Sequence, residues 1–296
     1  MRTTILAIVA ATSASLVSGA AIASYMPNIG TPVIGPNSYA QDLIGRVVAH
    51  HHNVNAITIY IRLPGAASLE SVASNGGKVG VAISPAGSRV YASGRADFKY
   101  QAGILKAAVP LLDVSNHKAG VMTLTLRGSN QMLLRREAFA IRTYLKRNTS
   151  FATNLVQKAL WDPNLPLDSY AQKLVDEELA EHPNVVIMAI HAATPKNAIP
   201  EILGSNIGRI GKKDDSDDAR VVNLGETNLE NNKDLQRFEV ELPLNDRSGT
   251  RIGALGVVFP FSAGMNEKTL HAEAIRIRND LARKIPSAAS LVEIAN

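Results

Sequence analysis

The chain has no cysteine among its 296 residues. Thiolate catalysis, disulfide staples and cysteine-ligated metal centres are therefore excluded, and a chain of this length buries enough surface to hold a core without cross-links. Aromatic residues are scarce, at 5%, and Trp161 is the single tryptophan. That argues against a cleft that grips carbohydrate by stacking. The formal net charge of +5 is small for the length, and no block of Lys and Arg concentrates it, so nucleic acid is not an expected partner. Beyond the N-terminus the longest apolar runs, such as VVIMAI at 185–190, are only strand-sized.

What is present begins with MRTTILAIVAATSASLVSGAAIAS. Arg2 gives a positive start, residues 5–17 are mostly apolar, and Ala21-Ile22-Ala23 has the small-x-small form of a cleavage site. The run is short and broken by Thr12, Ser13 and Ser15, unlike a spanning helix of ~20 apolar residues. Residues 1–23 are thus expected to be a cleaved secretory leader, with a cut after Ala20 as the alternative. The mature chain is expected in the periplasm or outside the cell.

The remainder repeats itself. SYAQDLIGRVVAHHHNVNAITIYIRLP (38–64) and SYAQKLVDEELAEHPNVVIMAIHAATP (169–195) share their length, their opening and their closing proline. At an offset of 131, 16 of the 43 positions from Tyr39 to Val81 are identical without a gap. The match continues at 133 (Pro110 with Pro243, Gly120 with Gly253) and 136 (Ile141 with Ile277, Arg147 with Arg283). Each copy is about 120 residues, the size of a domain rather than a solenoid unit. The expected organisation is a linker over 24–37, a first domain over 38–157, a linker over 158–168 and a second domain over 169–296.

Within a copy the pattern opens with a helix, since Leu43, Ile44, Val47 and Val48 form one apolar stripe. A strand follows, stopped by Pro64 or Pro195. A linking segment ends in SNGGKVG or SNIGRIG. RVYASG and RVVNLG are predicted to be short strands ended by glycine. RFEVELPL and RIGALGVVFPF, joined by NDRSGT, predict a hairpin. Leu270, Ala274, Ile277, Leu281 and Ile285 predict a last helix, stopped by Pro286. No strand is followed by a full crossover helix, so the fold class expected is α+β: two tandem domains, each an antiparallel sheet covered by its N- and C-terminal helices.

SNIGRIGK, followed by RFEVELPL, IGALGVVF and a basic C-terminal helix, resembles the extracytoplasmic PAS-like sensor domains called PDC or Cache domains. The second copy is similar to small exported proteobacterial proteins of that group over residues 170–292; the first joins through the repeat. The resemblance implies a PAS/Cache-like fold, a small-molecule ligand and closure through the terminal helices. It also implies a membrane-bound receptor or kinase as partner, because the chain has no second membrane segment and no kinase, cyclase or chemoreceptor portion of its own.

For a ligand, the 205–213 segment is the first choice: its glycines permit close backbone approach, and Arg209 and Lys212 favour an anionic group. Ser205 and Asn206 belong to the same set. The matching Asn75 is retained in the first copy, while Val81 replaces Lys212, so the second copy is the favoured binder. It is no P-loop, since Asn206 and Lys213 stand where Gly and Ser/Thr are required. His191, with Tyr60 and Arg62 near the matching place, is expected on the sheet face away from the core helices.

No metal site is expected. His50, His51 and His52 are consecutive and cannot converge from a helix. DDSDDAR (214–220) lacks the glycine of a calcium loop and reads as a solvated acidic loop. No cofactor is expected. With no G-x-S-x-G and no linear hint of a triad, an enzyme is not expected either. The alternatives are a structural or interaction protein with no ligand and, after it, an uncharacterised hydrolase.

Overall fold

The computed structural model describes residues 31–295. The leader-like residues 1–23 and the start of the linker lie outside the described residues. The chain runs α1 (Tyr39–His50), β1 (Val54–Arg62), β2 (Leu69–Ser74), α2 (Pro85–Ser93), β3 (Asp97–Gln101), β4 (Ile104–Leu112), β5 (Lys118–Arg127) and α3 (Gln131–Arg147), then a 3-10 turn at Ala152–Val156. The series repeats as α4 (Tyr170–Glu181), β6 (Ile187–Thr194), β7 (Asn197–Ser205), α5 (Ser216–Leu224), β8 (Asn228–Asn232), β9 (Arg237–Asn245), β10 (Arg251–Pro260) and α6 (Glu267–Lys284), with a second 3-10 turn at Ala289–Val292.

The result is α+β, with two five-stranded antiparallel sheets ordered β2-β1-β5-β4-β3 and β7-β6-β10-β9-β8. The predicted β9–β10 hairpin is present, in the register Val240↔Val257. Period-2 alternation splits each sheet into two faces. Ile57, Ile59, Ile61, Val109 and Leu124 meet α1 and α3 in one core; Met188, Ile190, Val240, Leu255 and Val257 meet α4 and α6 in the other. Each of these large side chains contributes about 1.5–3 kcal/mol relative to exposure.

The repeated letters have repeated tasks. Ser38 and Ser169 cap α1 and α4, accepting from the N–H of Gln41 and Gln172 at 3.1 Å each. Gln41 and Gln172 accept from the N–H of Ser74 and Ser205, at 3.0 Å each, tying helix to edge strand. Gly120 and Gly253 sit where a Cβ would strike the carbonyl oxygen of Tyr60 or His191. Each 3-10 turn brings the chain back beside its own capping serine, through the bridges Ser38↔Lys158 and Ser169↔Ile294.

One prediction is corrected. RVYASG and RVVNLG are not strands but lie in the short helices α2 and α5. Ser84 with Pro85 at the first turn, and Asp215 in a capping box with Asp218, start them; Gly94 and Gly225, both left-handed, end them. These helices lie across the sheet faces opposite the main cores.

The two domains are docked tightly. The Tyr39 hydroxyl donates to the Asn206 carbonyl at 2.9 Å, Asn154 Nδ2 donates to the Ile207 carbonyl at 3.0 Å, and the buried Arg237 guanidinium donates to the Ser150 carbonyl at 2.5 Å and to Ser115 Oγ at 2.8 Å. Val114 of the first domain packs with Ile187, Ile207 and Val258 of the second. Among the described residues no helix is long and apolar enough to cross a membrane.

Candidate functional site

The outer face of the second sheet carries two adjoining cavities, one of about 220 Å³ under the first turn of α5 and one of about 330 Å³ bounded also by Ser150 and Phe151. They share Ile187, Ile207, Arg209, Lys212, Glu230 and Glu239 as walls. β6 contributes His191, β9 contributes Glu239 and Glu241, and the first turn of α5 contributes Asp218. The alternation of RFEVELPL makes this so: Phe238, Val240 and Leu242 enter the core, and the glutamates between them face the other way.

Acid dominates the cavity. His191 is 7% exposed, and its Nδ1 lies 2.8 Å from Asp214 Oδ1 and 3.8 Å from Asp218 Oδ2. Burial alone would depress this imidazole; the hydrogen bond with Asp214 and the nearby carboxylates of Asp218 and Glu241 outweigh it and hold the ring above its ordinary range. Glu239 is pushed up to about 7 by burial and then by Glu230 and Asp218. Glu241 is pushed up to about 8, first by burial and then by Glu239 and Asp218, against a 3.1 Å hydrogen bond from Asn228. Glu230 and Glu239 are direct cross-strand neighbours, and like charges so placed repel. The Asp214 side chain is 2% exposed, and its Oδ2 has no hydrogen-bond partner. The acidic loop is thus not wholly solvated: Asp214 and Asp218 turn inward while Asp217 stays exposed.

The residues singled out from sequence divide. His191, Ser205, Arg209 and Lys212 come together on the cavity wall. Arg209 has a left-handed backbone, donates from Nε to Gln157 Oε1 at 3.1 Å, and lies over the Phe151 ring at 5.5 Å; burial lowers its pKa. Asn206 is not on the cavity wall. Its Oδ1 accepts from the Met188 N–H at 3.0 Å, and its Nδ2 donates to the carbonyls of Arg147 and Val186 at 2.7 and 3.0 Å. Asn75 likewise accepts from the Ile57 N–H at 2.7 Å. Both asparagines are structural ties at the start of a central strand. The left-handed Gly208 and Gly211 pack against the Tyr39 ring and Asp162, so their lack of a Cβ serves docking.

Tyr60 and Arg62 lie in the first domain, where the equivalent space is filled. Leu69, Ile83, Val90 and Val121, with Tyr60, Tyr91 and Ala108, pack under α2, and Arg62 lies over the Tyr91 ring at 5.9 Å. A broader groove of about 720 Å³ lies between α1 and α4, but its polar groups already pair, Asp42 with Arg46 at 3.0 Å and Gln172 with Asp176 at 3.0 Å. Sequence reading missed Asp214, Asp218, Glu239 and Glu241. Aligning the copies exposes them, because they stand where the first copy has Ile83, Gly87, Lys106 and Ala108.

No family model matches this chain, and no curated protein matches it. Among solved structures it is similar to PelD 158-CT from Pseudomonas aeruginosa PAO1, with 14% identity over 85% of this chain and 78% of that one, at a TM-score of 0.30. A second PelD structure, in complex with c-di-GMP, gives 13% identity over 86% and 79%, at 0.29. The type II free methionine-R-sulfoxide reductase from Thermoplasma acidophilum gives 12% identity over 41% of this chain and 99% of that one, at 0.27. Likeness at this level carries no argument about a site; the chain's own geometry has to carry it.

Proposed function

We propose that this protein binds a small molecule in the cavity of its second, PAS/Cache-like domain, and that the bound species carries positive charge. The observation that carries the reading is the appearance of carboxylates at positions matched by uncharged residues under α2: Asp218 for Gly87 and Glu241 for Ala108 on the cavity wall, and Asp214 for Ile83 against His191. Buried carboxylates without partners cost stability. Asp214, whose Oδ2 has no partner, with Asp218 and Glu241 around the half-buried Glu239, forms an acidic site poised for a cation. The anionic ligand expected from Arg209 and Lys212 gives way to this balance, because Arg209 is engaged by Gln157 and Phe151. A zwitterion with an acidic group toward Lys212 satisfies both.

The remaining parts of the proposal come from the sequence. The leader-like N-terminus supports a location outside the cytoplasm, and the Cache resemblance supports reporting to a membrane partner. We read the protein as a binder rather than a hydrolase. His191 and Asp214 form a dyad, but among the described residues Ser205 Oγ accepts from the Ile207 N–H, and no hydrogen bond joins it to His191.

A thermal-shift screen of the purified chain against amines, amino acids, organic acids and divalent cations tests the reading. Cationic or zwitterionic compounds should raise Tm, and Glu239→Gln with Glu241→Gln should remove the shift. Stabilisation by simple organic acids alone, or by nothing in the screen, overturns it.

A further inference from the structure

Three side chains from separate parts of the second domain converge beside this cavity: His191 from β6 and Asp218 from the first turn of α5, both on its wall, and Asp214 from the segment before α5. One donor atom of each lies within 4.8 Å of the other two. Donors around one ion, with bonds of about 2.0–2.2 Å, stand roughly 3–4 Å apart. The Nδ1–Oδ1 and Nδ1–Oδ2 separations of 2.8 and 3.8 Å fall close to that spacing.

A second, independent observation points the same way. Asp214 Oδ2 is buried without a partner, although the side chain is almost wholly enclosed. Asp218 Oδ2 accepts a 3.3 Å hydrogen bond from the Asp215 N–H, and the Asp218 side chain shares a hydrogen bond with the Glu241 carboxyl. Among the described residues no Lys or Arg forms an ion pair with Asp214 or Asp218. The chain has another cluster of this kind, Glu178, Glu181 and His182, where Glu178 Oε2 is also without a hydrogen-bond partner but Lys284 Nζ sits 2.7 Å from Glu178 Oε1. That cluster already holds a lysine ammonium, so the His191 cluster is the better candidate.

From this geometry we infer that the second domain holds a divalent transition-metal ion on His191, Asp214 and Asp218. An imidazole beside two carboxylates is the donor set of zinc, manganese, iron or cobalt rather than of calcium or magnesium. Three protein donors leave coordination positions that water or a ligand in the cavity can take. On binding, Nδ1 stops donating to Asp214 and bonds to the ion. A neutral ring moves its proton to Nε2; a protonated ring releases one proton to solvent. The metal site deepens the proposed binding function and rests on it in placing the cation in this cavity.

The test uses the whole purified chain, stripped with EDTA and dialysed, with Zn²⁺ by titration calorimetry and Co²⁺ by visible absorption. One equivalent of Zn²⁺ per chain and a Co²⁺ d–d band are expected. His191→Ala and the isosteric Asp214→Asn should weaken binding by about 100-fold or more, while His182→Ala keeps the equivalent. Metal-free thermal melts of the variants show whether each is folded. Absence of a stoichiometric site in the wild type, or an unchanged site in His191→Ala, overturns the inference. If organic amines still raise Tm in the presence of EDTA while Zn²⁺ does not bind, the cavity reading stands and the metal falls. If neither binds, both fall.

Discussion

Tyr60 and His191 occupy the same position of the same strand in two copies of one fold, 131 residues apart. Tyr60 packs among Leu69, Ile83 and Val121; His191 meets Asp214 and Asp218 at the wall of a cavity. The helix-side cores of the two domains are built alike, with the same caps, the same Gln-to-strand ties and the same glycines. The difference lies almost wholly on the opposite face. α2 and α5 are bounded alike, each by a side-chain cap and a left-handed glycine, and each buries one valine, Val90 or Val221, on its sheet. The first face is packed with apolar side chains; the second carries charges that folding alone would not favour.

The sharpest way to break the comparison is through the shared frame. Gly120→Ala and Gly253→Ala each place a Cβ against a backbone carbonyl that the neighbouring strand holds in place. Each should destabilise its own domain by about 3 kcal/mol or more, read by chemical denaturation. If one is tolerated, the two central strand pairs are not equivalent and the repeat is looser than its shared caps and ties imply.

Exchanging the fillings comes next in size. Ile83→Asp places a carboxylate against Val90, Leu69 and Val121 and should cost about 2–4 kcal/mol. Asp214→Ile does the reverse. It removes an unpartnered buried oxygen but leaves the buried His191 without its 2.8 Å partner, so the loss should be smaller, about 1–2 kcal/mol, while binding in the cavity is lost. Denaturation curves and ligand-induced Tm shifts, taken on both variants, measure the pair. Equal losses from the two substitutions would show that the second face, too, depends on its filling for stability.

The sequence made the duplication legible because identical residues do identical structural work. Ser38 and Ser169, Asn75 and Asn206, Gly120 and Gly253 all recur where a cap, a tie or a close approach demands them. The hairpin and last helix were legible from period and turn chemistry. α2 and α5 were not: six residues rich in Val and Tyr look strand-like, and the helix signals stood outside them, at Ser84-Pro85 and at Asp215 with Asp218. His191 could be placed by alternation alone. Glu239 and Glu241 could not, because alternation assigns them to the outer face without saying whether water or a helix covers it. Asp214 and Asp218 read as solvent-facing because a run of acids usually is; only their approach to His191 shows otherwise.

The smallest expected effect is the most specific. The positions matched by Lys106 and Glu239 face the same side of the two sheets, each opposite a like charge, Lys99 or Glu230. Glu239 is raised to about 7 by burial and by Glu230 and Asp218, with His191 and Arg209 opposing. An unfolded glutamate titrates near its ordinary 4.5. Between these values the folded state holds a proton that the unfolded state has released. The contribution to stability is therefore full below about 4.5 and is lost as pH rises toward 7, after which it is flat. The shift sets a ceiling of roughly 3 kcal/mol, and water entering the cavity reduces it to about 1–2 kcal/mol. Glu239→Gln should reduce the slope of the metal-free protein over this window, and Glu239→Gln with Glu241→Gln, which is raised to about 8, should remove most of it, measured by urea midpoints at pH 5, 6, 7 and 8. Lys106→Gln should leave the profile of the wild type unchanged. A bound cation favours ionised Glu239, so in its presence the wild-type slope should shrink and the bound form should gain stability as pH rises. An undiminished slope in the double variant would mean that the pH response of the fold comes from elsewhere than the charged face that sets the second domain apart from the first.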